Sequence, residues 1–206
     1  MLERISKSNF FIKALMTALA VLFVGASMGI MSFANVGAEP ITFFAQSLSR
    51  SFKITQGAAV YINNAVLLLL VLVFNTSKLN GATIISFLVT GKAMDITLRL
   101  LELIFTQDLS LIARHAMNVM GALMLGFFIG IYLSFDFGAS PADGVMILIS
   151  KITGLSYKYS IWIFNAIYVL LGIIFGGNFG LGTIIASVLM GISCDFVNKH
   201  SSKKQC

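Results

Sequence analysis

The sequence predicts an all-α, polytopic membrane protein built from two internal repeats, with six long transmembrane helices and two short helices that each begin at a proline. Three observations carry this. The 206 residues are 58% hydrophobic and only 11% charged, with a mean hydropathy of +0.94. A soluble domain carries roughly 25% charged residues, so the polar side chains here are too few to coat a water-soluble globule, and the bilayer must be the solvent for most of the chain. The stretch Asn35-Val36-Gly37-Ala38-Glu39-Pro40 returns 101 residues later as Asp136-Phe137-Gly138-Ala139-Ser140-Pro141, and these two copies hold the only prolines. A long apolar run precedes each copy and a short helix-like segment follows it.

In order, residues 1–13 are a basic lead-in with Arg4, Lys7 and Lys13, expected at the cytoplasmic surface. The apolar run from Ala14 to Val36 exceeds the hydrophobic core of a usual signal peptide and matches the later run in register. Helix 1 of the first repeat (14–101) is expected over Ala14–Ala34 with Gly25-x-x-x-Gly29, small residues that let another helix approach. A short segment, Ile41–Phe52, follows the signature turn and is too short for a standard span. Gln56–Phe74 and Gly81–Leu101 complete the repeat. The polar connector 102–114 separates it from the second repeat (115–198), with helices expected over His115–Phe135, Pro141–Thr153, Tyr157–Phe175 and Leu181–Asn198. Residues 199–206 form a basic tail.

Matched residues, not only hydropathy, carry the repeat. Gly25, Gly29, Ile30, Gly37, Ala38 and Pro40 recur 101 positions on, as does Asn64-Ala65 at Asn165-Ala166. At an offset of 100, Thr83-Ile84-Ile85 matches Thr183-Ile184-Ile185, Gly91 matches Gly191, and Asp95 matches Asp195. Duplication of this kind is typical of transporter folds. If the short helices cross the membrane, the halves are parallel with four spans each. If they do not, the halves are inverted with three each. Crossing places Arg50, Lys53, Arg99, Arg114, Lys151, Lys158 and both termini on one side, so the distribution of basic residues favours four-plus-four parallel, with three-plus-three inverted as the alternative.

The net charge of +6 reads as this cytoplasmic bias and not as nucleic-acid binding. Cys194 and Cys206 form no metal or disulfide pattern. No nucleophile elbow, P-loop, zinc motif or dinucleotide fingerprint occurs, so neither an enzyme nor a cofactor nor a metal is implied.

Ser140-Pro141-Ala142-Asp143 reads as a helix start, with a capping serine, a proline in the first helical position and an acid at the third. Glu39-Pro40-Ile41-Thr42 is its counterpart. Structurally these are caps, and functionally they are positive helix ends pointing into a cavity. Candidate cavity residues are Glu39, Asn64, Lys92, Asp143 and Asn165. Asp95–Arg99 and Asp195–Lys199 are acid–base pairs four apart, expected to anchor helix ends or gate. Lys92 lies near mid-helix, where ionisable groups are functional candidates.

The signature turns, the Thr-Ile-Ile runs and the Gly91/Asp95 and Gly191/Asp195 pairs resemble the YczE/YyaS/YitT-type bacterial integral membrane proteins. The likeness runs from about Gly25 to Asp195 and is strongest at Gly138-Ala139-Ser140-Pro141-Ala142-Asp143-Gly144, which is similar to that family's glycine–proline–acid motif. The first copy departs from it, since no acid follows Pro40. The resemblance implies a multi-pass protein of the bacterial cytoplasmic membrane and carries over no catalytic residue. The expected function is transport of a small polar or anionic solute at the interface of the repeats, with both termini cytoplasmic. The alternative is a non-transporting subunit that binds a substrate for, or scaffolds, a homo-oligomer or larger membrane complex.

Overall fold

The computed structural model describes residues 9–74, 81–105, 109–135, 137–138, 140–177 and 179–200. The lead-in before Asn9, the loop 75–80, Asp136 and Ala139 of the second signature turn, part of the connector, and the tail after His200 lie outside the described residues. All regular structure among the described residues is helical: α1 (Phe10–Ala34), α2 (Pro40–Phe52), α3 (Gln56–Val73), α4 (Gly81–Ile104), α5 (Leu111–Ser134), α6 (Pro141–Thr153), α7 (Tyr157–Ile174) and α8 (Leu181–His200). Of these, α1, α3 and α5 are each long and apolar enough to cross a membrane.

Local chemistry sets the ends. Thr55 and Ser110 cap α3 and α5 through the amides of Ala58 and Ala113, satisfying donors that have no partner within the helix. Prolines open α2 and α6, where a missing N–H loses nothing. The α2 and α6 helices stop at left-handed residues, Lys53 and Gly154.

The long helices pack through glycines. A side chain on Gly25 would strike the Thr90 carbonyl and Ala93, and one on Gly29 would meet Met94 and Thr97. Numbers rise together along both helices, so α1 and α4 are parallel. Gly126 lies on the Met190 carbonyl and Gly130 on Cys194 and Val197, so α5 and α8 are parallel too. Between these pairs the direction reverses. Gly121 of α5 faces Ser27 and Met31 of α1, Phe128 stacks on Phe23 at 4.5 Å, and Phe137 meets Phe10 at 5.0 Å.

The short helix α2 packs on α3 and α7, and α6 on α7 and α3. Gln46 of α2 donates to Ser32 at 2.9 Å and Arg50 to Asn35 at 2.7 Å. So α2 runs alongside the last turns of α1, in the same direction. The chain must therefore double back between Ala34 and Pro40, through left-handed Asn35 and through Gly37 at φ +108°. Gly138 has the same backbone, at φ +118°, a conformation open to glycine.

This corrects the favoured parallel arrangement. Because α2 doubles back and then runs beside the last turns of α1, it ends where α1 ends, and α1 and α5 run in opposite directions. The distribution of basic residues misled because Arg50 is held by Asn35, a local contact that says nothing about which side of a membrane it faces. Cys194 is buried on α8, and Cys206 lies outside the described residues.

Candidate functional site at the short-helix starts

The first turn of α2 is closed by Glu39. Its carboxylate accepts from the amides of Ile41 (2.8 Å) and Thr42 (2.7 Å) and from the Thr42 hydroxyl. Glu39 is 3% exposed, and Thr42 is fully buried. In apolar surroundings each unmet helix donor is costly, and the positive helix end favours an anion there. Among the described residues no basic side chain pairs with Glu39.

The start of α6 holds the same chemistry with the roles exchanged. The Ser140 hydroxyl accepts from the Asp143 amide (3.2 Å), while the Asp143 carboxylate accepts from the Ser140 amide (3.0 Å) and hydroxyl (2.8 Å). Tyr132 of α5 adds a third donor at 2.9 Å. Thr42 occupies the position of Asp143, and Glu39 that of Ser140, at the offset of 101. The acid absent after Pro40 is thus present before it. No hydrogen bond joins Glu39 to Asp143, and Asp143 is half-buried.

A polar link that the sequence did not single out lies beside α2. Tyr168 of α7 donates its hydroxyl to Asn63 of α3, and both are buried. Phe44 of α2 meets the Tyr168 ring edge-on at 5.3 Å, and Phe164 covers it at 4.4 Å. Asn64 and Asn165 are half-buried and form no hydrogen bond among the described residues. The offset of 101 found equivalent positions on α3 and α7, but the inward-facing position is one residue earlier on α3. No sequence signal pairs Asn63 with a tyrosine 105 residues away.

The remaining candidates lie apart from this region. Asp95 of α4 accepts from the Thr55 hydroxyl and the Gly57 amide, both at 2.7 Å, and so helps to cap α3. Arg99 and Lys92 are exposed, and neither forms an ion pair with Asp95 among the described residues. Asp195 and Lys199 are exposed on α8 and likewise form no ion pair there. No group of three or more His, Cys, Asp or Glu side chains gathers among the described residues.

Known proteins with similar sequences are membrane or uncharacterised proteins. YczE of Bacillus subtilis (strain 168), named an uncharacterized membrane protein, is 28% identical over 183 residues, which is 86% of this chain and 80% of that one. YyaS of the same organism, an uncharacterized protein, is 24% identical over 172 residues, 84% of each chain. An uncharacterized protein of Haemophilus influenzae is 26% identical over 187 residues, 90% of this chain and 82% of that one. No solved structure matches the chain. With its apolar helices and these relatives, the chain is an integral membrane protein, and it belongs to DUF6198, a family of unknown function whose sequence profile matches residues 11–199.

Proposed function

We propose that the protein is a small-solute transporter of the bacterial cytoplasmic membrane, made of two inverted three-span repeats with a solute site at the starts of α2 and α6. The single observation that carries this is Glu39: a carboxylate without a basic partner among the described residues, buried at the start of a helix that runs back beside α1. Irregular backbone at membrane depth persists where it is buried in protein or lines a cavity, and half-helix starts are where transporters hold ions and solutes. The matched helix lengths support the repeat, at 25, 13, 18 and 24 residues against 24, 13, 18 and 20. Basic residues at the start of α1 and the end of α8, Lys13 and Lys199, support termini in the cytoplasm. Both helix starts already hold a carboxylate, so the solute class narrows from polar or anionic to polar and not anionic.

Cells expressing the wild type or Glu39→Gln at equal membrane levels are compared by untargeted mass spectrometry of small solutes. At least one solute should accumulate or deplete with the wild type alone; coincident profiles defeat the transport reading. The partner-subunit reading draws on a different observation. A side chain added at Gly191 would meet nothing within 4 Å, and Asp195 beside it is exposed, so this face of α8 has room for another helix. A stoichiometric co-purifying membrane protein that is lost in Gly191→Leu would favour it.

A further inference from the structure

Where the chain doubles back between α1 and α2, it meets the start of α8 and the first half of α5. Three oxygens here have no hydrogen-bond partner among the described residues. Asn118 of α5 is 1% exposed and donates its Nδ2 to the Gly182 carbonyl at 3.1 Å. A carbonyl can only accept, so the orientation of the carboxamide is fixed and Oδ1 is the free end; it is buried without a partner. Thr183, also 1% exposed, has a buried hydroxyl with no partner. The Val36 carbonyl lies against Gly182, and Gly37 against the Thr183 hydroxyl, so closely that neither glycine could carry a side chain. No hydrogen bond to the Val36 carbonyl is formed among the described residues.

The corresponding turn of the other half differs on this point. There the Phe137 carbonyl accepts from the Ala82 amide at 3.1 Å. The free carbonyl at Val36 is therefore not a by-product of the turn.

Buried polar atoms are nearly always satisfied. Three acceptor-capable oxygens around one turn call for a donor or a cation. Neutral oxygens from a carboxamide, a hydroxyl and an irregular backbone suit a hard monovalent cation; Ca2+ and Mg2+ sites are built around carboxylates. Two charges flank the turn: Glu39 stands two residues beyond Gly37, buried and without a basic partner among the described residues, and the Arg50 guanidinium is held on Asn35, next to Val36. A cation beside the turn would offset the Glu39 carboxylate.

We propose that the Asn118 Oδ1, the Thr183 hydroxyl and the Val36 carbonyl form a Na+ site at the α1–α2 turn. Its use as a coupling-ion site rests on the transport reading above, but the binding itself does not. An ion held here would fix the α1–α2 turn against α5 and α8. Its occupancy would govern how Glu39 is presented.

The test uses the full chain purified in detergent, with unfolding followed by intrinsic fluorescence. Na+ is titrated against choline at constant ionic strength, and K+ is titrated in parallel. Na+ should raise the unfolding temperature saturably and K+ should not. Asn118→Leu and Thr183→Val should each weaken the apparent Na+ affinity by roughly tenfold or more, as loss of a site group does. Thr183→Val removes an unsatisfied buried hydroxyl and breaks no hydrogen bond, so this variant should be no less stable than the wild type in choline alone, whereas Asn118→Leu also loses the bond to Gly182 and is judged on its Na+ response. A merely structural role predicts the reverse, with lower stability in choline and an unchanged Na+ response. Equal responses to Na+, K+ and choline would leave these oxygens to a buried water and overturn the site. If Na+ has no effect but Glu39→Gln still abolishes the solute change in cells, the ion site fails while the transport reading stands.

Discussion

Asp95 holds the first turn of α3 through Thr55 and Gly57, so its loss should be felt as the loss of a helix cap. Asp95→Ala should destabilise the protein by about 1–2 kcal/mol, the usual range for a cap and a charge-assisted hydrogen bond. Arg99→Ala, at an exposed position four residues on, should stay within about 0.5 kcal/mol. Thermal unfolding of the two variants in detergent checks the pair, and equal losses would restore the Asp95–Arg99 ion pair that spacing alone suggests. Sequence spacing sees only a residue's own helix. Asp95 has a same-face base at Arg99, but its partners belong to α3, about forty residues back. The helix starts were more legible, because a proline and a capping side chain act within one turn. Ser140 and Asp143 form their capping box. Even the exchange of acid and hydroxyl between Glu39–Thr42 and Ser140–Asp143 is written in adjacent residues. Asn63–Tyr168 was not legible, since nothing local marks a contact that depends on how α3 meets α7.

Helix pairs here depend on closeness of backbones. On α5, Gly126 sits on the Met190 carbonyl with no space for a methyl group, whereas Gly191 on α8 faces open space. Without a hydrophobic driving force between helices, such close packing is a main source of association in lipid. Gly126→Val should therefore separate α5 from α8 and lose most of the monodisperse protein on size exclusion. Gly191→Val should leave the profile unchanged, unless a partner occupies that face in the membrane. Helix boundaries were readable to within a few residues, from hydropathy, prolines and glycines. The α6 and α2 helices begin at the two prolines, and the ends at Phe52 and Thr153 match the expected ones. The direction of α2 was not readable, because a helix of 13 residues carries the same pattern whether it crosses or returns.

For the molecule as a whole, helix directions place Thr55 and Ser110 at one end and Ser156 at the other. Single cysteines at these positions, in a background with Cys194 and Cys206 replaced, should separate under an impermeant thiol reagent applied to intact cells. Thr55→Cys and Ser110→Cys should be labelled and Ser156→Cys protected. Labelling of Ser156→Cys with protection of the other two would invert the protein in the membrane. Labelling of all three or of none would break the antiparallel relation of α1 and α5. Matched glycines suggest a duplication, yet matched residues are indifferent to the direction in which each helix runs. The direction of each appears in the contacts between α1 and α5, where Phe128 meets Phe23 and Gly121 meets Met31.

The seat of α2 on α7 has a consequence for how the protein is made. Ser51 at the end of α2 donates its hydroxyl to the Phe175 carbonyl, 124 residues further along the chain, and Phe43 lies over Gly172 with no room between them. A ribosome adding roughly 5–20 residues per second leaves α2 without this partner for roughly 6–25 s. During that interval a short helix with a carboxylate at its tip has only its contacts to α1 and α3, and its face toward α7 is uncovered. The first half released alone should thus be a substrate for membrane quality control, and the time-critical step of assembly is the arrival of α7.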